Sequence, residues 1–240
     1  FGSSSSVMES AGETSGVAET MPGLGAIEAT IVVEDPEMTW LDNFLSGPEV
    51  AHLLELAAPL WERSTVTVGK VSELLVGEAP NTVGGQVPLE EVEDGDRTSY
   101  SATLEFGEQV VERLLVRVAV VAGCPLSHVE QPVLVRYAPG QQFKLHHDGA
   151  LRPRTIFAYC NDVPSGGETL FPELGVQIKP KAHSAIMWNN TLQDGSADMR
   201  MVHEALPPNA GMKYGINLFV NRGPQRDTSH IKMVDCCAGT

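Results

Sequence analysis

The sequence predicts a mainly β fold with helices packed ahead of it, and three features of its texture lead there. From Pro125 onward, short apolar runs follow one another at close intervals, separated by Gly, Pro, Asn and Asp. Before that point, apolar residues fall at helical spacings in two segments. Strands this short and this closely spaced favour a barrel or a sandwich over a βαβ sheet.

Residues 1–30, beginning FGSSSSVMESAGETSG, lack apolar periodicity and read as a flexible linker. Helical character is expected over 38–64, where Val50, Leu53, Leu54, Ala57 and Leu60 recur three and four apart after the start signal Ser46-Gly47-Pro48-Glu49. Residues 77–99 offer no buried face and read as a long loop or hairpin of the kind that covers a site. A second helix is expected over 105–123, with Val110, Val111, Leu114, Leu115, Val118 and Val121 on its apolar side and Gly123 as its terminator. The β segments then run VLVRY (133–137), FKLHHD (143–148), TIFAYC (155–160), ETLF (168–171), SAIMW (184–188) and YGINLFV (214–220).

Length and charge narrow the function classes. At 240 residues the chain can bury a substantial core, and a single catalytic unit is the simplest organisation. Its most apolar stretch, residues 114–123, is too short for a membrane span and is interrupted by Arg117. A net charge of −15 repels phosphate backbones, so nucleic acid is not an expected partner. The four cysteines, Cys124, Cys160, Cys236 and Cys237, are too few and too irregular for a disulfide framework or a thiolate zinc site. They leave the redox compartment open. The chain begins at Phe1 without a cationic, apolar leader, which is compatible with a targeting segment already removed.

The chemistry centres on FKLHHDG (143–149). In an extended segment His146 and Asp148 share one face and His147 points the other way. Two histidines and one carboxylate, with the remaining positions open, suit non-haem ferrous iron. Taken alone, His-x-Asp also describes a solvated turn or a satisfied core histidine. The best-placed third ligand is His203, which ends a short apolar run just before Pro207-Pro208. Lys213 follows directly before YGINLFV; on neighbouring antiparallel strands, His203 and Lys213 would face the same barrel interior. A buried ammonium needs an anion, and a dicarboxylate chelating the metal through its other end supplies one. The competing reading makes Lys213 an exposed strand-edge lysine.

These segments also carry a family likeness. YAPGQQFKLHHD (137–148) resembles the Y-x-x-G-x-x-aromatic-x-x-H-x-D motif of the prolyl 4-hydroxylase branch of the iron(II) and 2-oxoglutarate dependent dioxygenases, through Tyr137, Gly140, Phe143, His146 and Asp148. YCNDVPSGGETLFP (159–172), IKPKAHSAIMWNN (178–190) and HEALPPNAGMKYGINLFV (203–220) are similar to three later motifs of that family, and the likeness spans roughly residues 38–222. It implies a double-stranded β-helix (jelly-roll) core with N-terminal helical support, in which His146, Asp148 and His203 bind Fe(II). It also implies that Lys213 pairs with the distal carboxylate of 2-oxoglutarate, Tyr137 donates a hydroxyl to it, Thr169 lines the same pocket and Arg152 positions a peptide. Trp188, Glu168 and Asn161 read as structural. The organisation expected is a linker over 1–30, a helical support region with a substrate-covering loop over 31–125, the dioxygenase core over 126–223 and a tail over 224–240.

The activity this resemblance implies is hydroxylation of peptidyl proline, of the procollagen-proline 4-dioxygenase type. O2 and 2-oxoglutarate are the implied cosubstrates, the latter decarboxylated to succinate, with ascorbate restoring oxidised iron. The substrate class is a proline-containing peptide, extended and polyproline-like. The resemblance alone suggests the endoplasmic reticulum lumen. Alternatives are the same chemistry on another residue or a small molecule, a catalytically silent proline-rich peptide-binding module, and a cupin-like metal protein. The chain departs from the family pattern at Leu206, Pro208, Tyr214 and His183, the last standing where glycine is usual.

Overall fold

The computed structural model describes residues 26–68, 90–92 and 95–231. Most of the expected linker, most of the expected covering loop, and Cys236 and Cys237 lie outside the described residues. In chain order the first elements are β1 (Glu28–Val33), β2 (Met38–Asp42), α1 (Gly47–Ala57), β3 (Glu62–Arg63), β4 (Val66–Val68), β5 (Glu90–Val92), β6 (Tyr100–Thr103) and α2 (Gln109–Ala122). There follow β7 (Val133–Tyr137), β8 (Phe143–His146), β9 (Arg154–Tyr159), β10 (Ser165–Gly166), β11 (Thr169–Phe171) and β12 (Val176–Ile178). The last are β13 (Ala185–Asn189), β14 (His203–Ala205), β15 (Pro208–Ala210) and β16 (Lys213–Val220).

Eight strands form a large antiparallel sheet in the order β1-β2-β13-β9-β16-β7-β6-β3, and four form a smaller one in the order β12-β11-β14-β8. Together they make the jelly roll. Alternation along the central strands sorts their side chains between two cores. Leu134, Ile156, Ala158, Met187, Ile216 and Leu218 point from the large sheet toward α1 and α2. Val135, Tyr137, Phe157, Tyr159, Ile186 and Trp188 point the other way, toward Phe171 and Ile178 of the small sheet. It is this second face that builds the site.

The helices are fixed by local chemistry. Ser46 opens α1 with a capping box: its hydroxyl accepts from the Glu49 N–H at 3.3 Å, and the Glu49 carboxylate accepts from the Ser46 N–H at 2.9 Å. That same carboxylate receives Arg117 of α2 at 2.6 Å, and Arg117, only 1% exposed, also donates to the Phe44 carbonyl at 2.6 Å. Gly123 ends α2 at φ 62, a left-handed conformation that glycine adopts without strain.

Several expectations need correction. Residues 38–42 are strand β2 rather than helix, because Met38 and Trp40 face the inter-sheet core while Leu41 faces the helices, a period of two. Leu60 lies beyond α1 in a 3-10 turn and is 43% exposed. β1 begins at Glu28, inside the stretch expected as linker. The 31–125 region is not merely helical support: β2, β3 and β6 belong to the large sheet, and β6 pairs with β7 across the expected boundary at 126. In the expected tail, Arg226 is bound through both terminal guanidinium nitrogens to Glu112 of α2 and lies 4.1 Å over Phe106, so this part of it is fastened to the support region. No helix among the described residues is long and apolar enough to cross a membrane.

One-sided removal of a buried ion pair strands a charge. Glu49→Ala is therefore expected to destabilise the fold by about 3–5 kcal/mol in urea denaturation, while Arg117→Met, which removes the buried charge, costs less.

Candidate metal and carboxylate site

Strand pairing brings the first group together. β14 runs antiparallel to β8 with His203 opposite His146 and Ala205 opposite Phe143, so two residues of β8 face one of β14 between those pairs. Such a bulge breaks alternation and re-aims side chains. Phe143 and His146 thus share a face, their rings stacked with centroids 3.5 Å apart and planes 14° from parallel, while Leu145 is turned out to 56% exposure.

His146 Nδ1 lies 2.8 Å from the Lys144 carbonyl, and His203 Nδ1 lies 2.9 Å from the Met201 carbonyl. A carbonyl only accepts, so each Nδ1 carries the proton and each Nε2 presents its lone pair. Asp148 Oδ1 stands 3.9 Å from His146 Nε2 and 4.0 Å from His203 Nε2. One ligand atom from each residue lies within 4.8 Å of the other two, the only such group of His, Cys, Asp or Glu found among the described residues. His147 is directed elsewhere: its Nε2 meets the Asp198 carbonyl at 3.2 Å and its Nδ1 accepts from the Gly149 N–H at 2.9 Å.

The electrostatics favour ligand forms of these groups. Burial, with His203 alongside, pushes His146 down to about 3, so its ring is neutral at physiological pH. Burial alone would raise Asp148, but the neighbouring His203 and His146 rings and the Thr155 hydroxyl outweigh it and hold the carboxyl below its ordinary range. Two imidazoles and an ionised carboxylate, set around one space, form a donor set suited to ferrous iron.

The second group belongs to the large sheet. Lys213 is opposite Tyr137 in the β16–β7 register, is 0% exposed, and its Nζ has no hydrogen-bond partner among the described residues. Aromatic rings wall it, with Phe157 at 5.2 Å, Tyr137 at 5.4 Å and Tyr159 at 5.7 Å from Nζ to the ring centroids. Burial pushes the ammonium down to about 7, against a smaller opposing effect of Glu168. Gly215 makes this wall possible, because a Cβ there would come 2.3 Å from Phe157 Cζ. Tyr159 and Thr169 join their hydroxyls at 3.0 Å beside it.

His203 and Lys213 do not lie on neighbouring strands, as spacing had suggested. β14 pairs with β8 and β11, whereas β16 pairs with β7 and β9. Between them β15 pairs with β10, so the chain crosses from one sheet to the other and the two side chains border the inter-sheet core from opposite walls.

The remaining expected residues fall as follows. Tyr137 is 3% exposed, and burial raises its phenol despite Arg97 and Ser99 nearby. Thr169 is buried against Tyr159. Arg152 is held by Glu130, with its Nη2 at 2.7 Å and its Nε at 3.0 Å from the carboxylate oxygens, and lies 3.9 Å over Phe219. Asn161 ties the Met212 carbonyl and the Tyr214 N–H together, and Trp188 is buried against Phe171 and His203. Sequence reasoning missed Tyr159 as one of the rings against Lys213, Thr155 as a donor to Asp148 at 2.7 Å, and Arg97, whose guanidinium lies 4.6 Å over Phe143. None of the three stands in a spacing that marks a contact.

Comparison with known proteins gives a consistent picture. Residues 132–221 match the 2OG-Fe(II) oxygenase superfamily. The chain is 30% identical over 189 residues to the probable prolyl 4-hydroxylase 11 of Arabidopsis thaliana, covering 72% of this chain and 63% of that protein. It is 28% identical over 204 residues to the prolyl 4-hydroxylase subunit alpha-2 of Gallus gallus, covering 79% of this chain. The chain thus spans only 35% of the length of that subunit. Among solved structures, the viral collagen prolyl hydroxylase of Paramecium Bursaria Chlorella virus-1, in its 2OG complex, superposes with a TM-score of 0.56 at 20% identity, over 77% of this chain and 94% of that one. At that identity the likeness is one of fold.

The depressed Lys213 has a thermodynamic signature. Its folded pKa of about 7 lies below the ordinary 10.5, so between those values the unfolded chain binds more protons and stability rises with pH. Below about 7 the penalty for the buried ammonium is present in full. Lys213→Met is expected to stabilise the ligand-free protein by about 1–3 kcal/mol in urea denaturation at pH 6, with the gain shrinking toward pH 10.

Proposed function

Because residues 132–221 belong to the 2OG-Fe(II) oxygenase superfamily, we propose that this chain is the catalytic portion of a prolyl 4-hydroxylase, hydroxylating proline in an extended peptide with Fe(II), O2 and 2-oxoglutarate. The observation that carries this reading is a three-atom ligand set combined with a buried lysine whose Nζ has no hydrogen-bond partner among the described residues. The first fits a ferrous ion by donor type, and the second fits the free carboxylate of a diacid.

When bound, iron supplies the redox chemistry by which O2 and 2-oxoglutarate yield succinate, carbon dioxide and a hydroxylated carbon, one oxygen atom entering succinate and the other the substrate. The protein's own part is positional. His146, Asp148 and His203 would hold the ion. Lys213 receives the distal carboxylate, Tyr137 donates its hydroxyl to the same group, and Thr169, joined to Tyr159, lines the pocket. The rings around Lys213 exclude water, which strengthens the charge-assisted contact. Arg152 serves the peptide side as a fixed Arg152–Glu130 pair rather than as a lone cation. Ascorbate is the reductant expected to rescue iron oxidised in uncoupled turnover.

Incubation of the protein with Fe(II), 2-oxoglutarate, ascorbate and proline-rich peptides tests the proposal by mass spectrometry. Succinate with a gain of one oxygen on proline supports it. Peptide binding without turnover favours a silent module, and turnover only on another acceptor overturns the proline assignment. Asp148→Ala and His146→Ala are expected to abolish turnover, with His147→Ala retaining most of it. Lys213→Ala is expected to raise the 2-oxoglutarate requirement about 10–100-fold, the worth of one hydrogen bond to a charged group.

A further inference from the structure

Resting on the metal-site reading above, we infer that Trp188, Asn190 and Thr155 form a one-way hydrogen-bond relay that fixes Asp148 as a ligand through one oxygen only. The relay begins where polarity is unambiguous. The Trp188 indole N–H can only donate, and it lies 2.8 Å from Asn190 Oδ1. This sets the amide, so Asn190 Nδ2 is the donor to Thr155 Oγ1 at 2.8 Å and to the Arg152 carbonyl at 2.8 Å. Thr155, already accepting, directs its single hydroxyl proton to Asp148 Oδ2 at 2.7 Å. Trp188 is 2% exposed and Asn190 and Thr155 are 0% exposed, so water does not compete at any link.

The consequence falls on the carboxylate. Oδ2 is engaged by a donor, whereas Oδ1 is the oxygen placed 3.9 Å and 4.0 Å from the two imidazole Nε2 atoms. The two oxygens are therefore inequivalent before any ion binds. Trp188 and Thr155 are register partners on β13 and β9 of the large sheet, while Asp148 follows β8 of the small one. The relay thus anchors the carboxylate to the opposite wall and leaves Oδ1 as the oxygen turned to the two imidazoles. Thr155 is a positioning residue, acting through Asp148.

Thr155→Val keeps the side-chain shape and removes the hydroxyl, and Thr155→Ser restores it. Mn(II) titration of the 240-residue chain, read by electron paramagnetic resonance of the free ion, is expected to show about 10–100-fold weaker binding for Thr155→Val, with Thr155→Ser within about threefold of the parent. At saturating Co(II), where affinity no longer matters, the visible spectrum is expected to change in Thr155→Val and to match the parent in Thr155→Ser. Trp188→Phe removes only the first donor; it is expected to weaken Mn(II) binding less, and it stands in should Thr155→Val not fold. Asp148→Ala separates the two levels of inference. If it loses Mn(II) while Thr155→Val matches the parent in affinity and spectrum, the relay is overturned and the metal site stands. If Asp148→Ala binds Mn(II) as the parent does, the metal-site reading falls and the relay with it.

Discussion

The register between β14 and β8 is the constraint on which the rest depends. It sets His203 directly across from His146, and the bulge beside that pair turns Phe143 onto the imidazole. A slip of one residue would send His203 to the opposite face and dissolve the group, because side chains alternate along a strand. The hydrophobic pattern guards against such a slip. Phe171 and Trp188 close on the His203 ring at 5.1 Å and 5.0 Å, so the ligand's orientation is secured by the same packing that secures the inter-sheet core.

Stability and function oppose each other within this core. Most buried polar groups of the site are satisfied: both histidines donate to carbonyls, Asp148 accepts from Thr155, and Tyr159 meets Thr169. Lys213 Nζ is the exception, and its aromatic surroundings offer only weak compensation. Strands paired on both sides hold Lys213 dry among these rings, an unfavourable setting for an ammonium, and its pKa is pulled down to about 7.

Much of this arrangement was legible in the sequence, and the limits are physical. The β segments stood out as short apolar runs between Gly, Pro, Asn and Asp, since the central strands are buried on both faces, and α2 because one face repeats with helical spacing. β2 was concealed: its five residues adjoin the helix signal of Ser46 to Glu49, and an apolar run that short suits either period. His146 and Asp148 declare themselves by adjacency, but their relation to Lys213 depends on the crossing from the small sheet to the large one through β15, which no local pattern encodes. Thr155 was illegible as a partner of Asp148, since an isolated polar residue in an apolar strand looks the same whether it is satisfied by water or by a carboxylate. His183 shows the reverse. The glycine expected at that position has a reason, since the backbone there adopts φ 69.

The division of the site between two sheets has a consequence for the size of the acid it accepts. On the proposed reading, one end of the diacid would be held at a point defined by β8 and β14 and the other at a point defined by β16; no single strand carries both. The separation of the two walls is thus a gauge for the number of carbons between the carboxylates. Phe171 of the small sheet and Ile186 of the large one pack between these walls, so on the proposed reading a substitution at either would retune which acid fits.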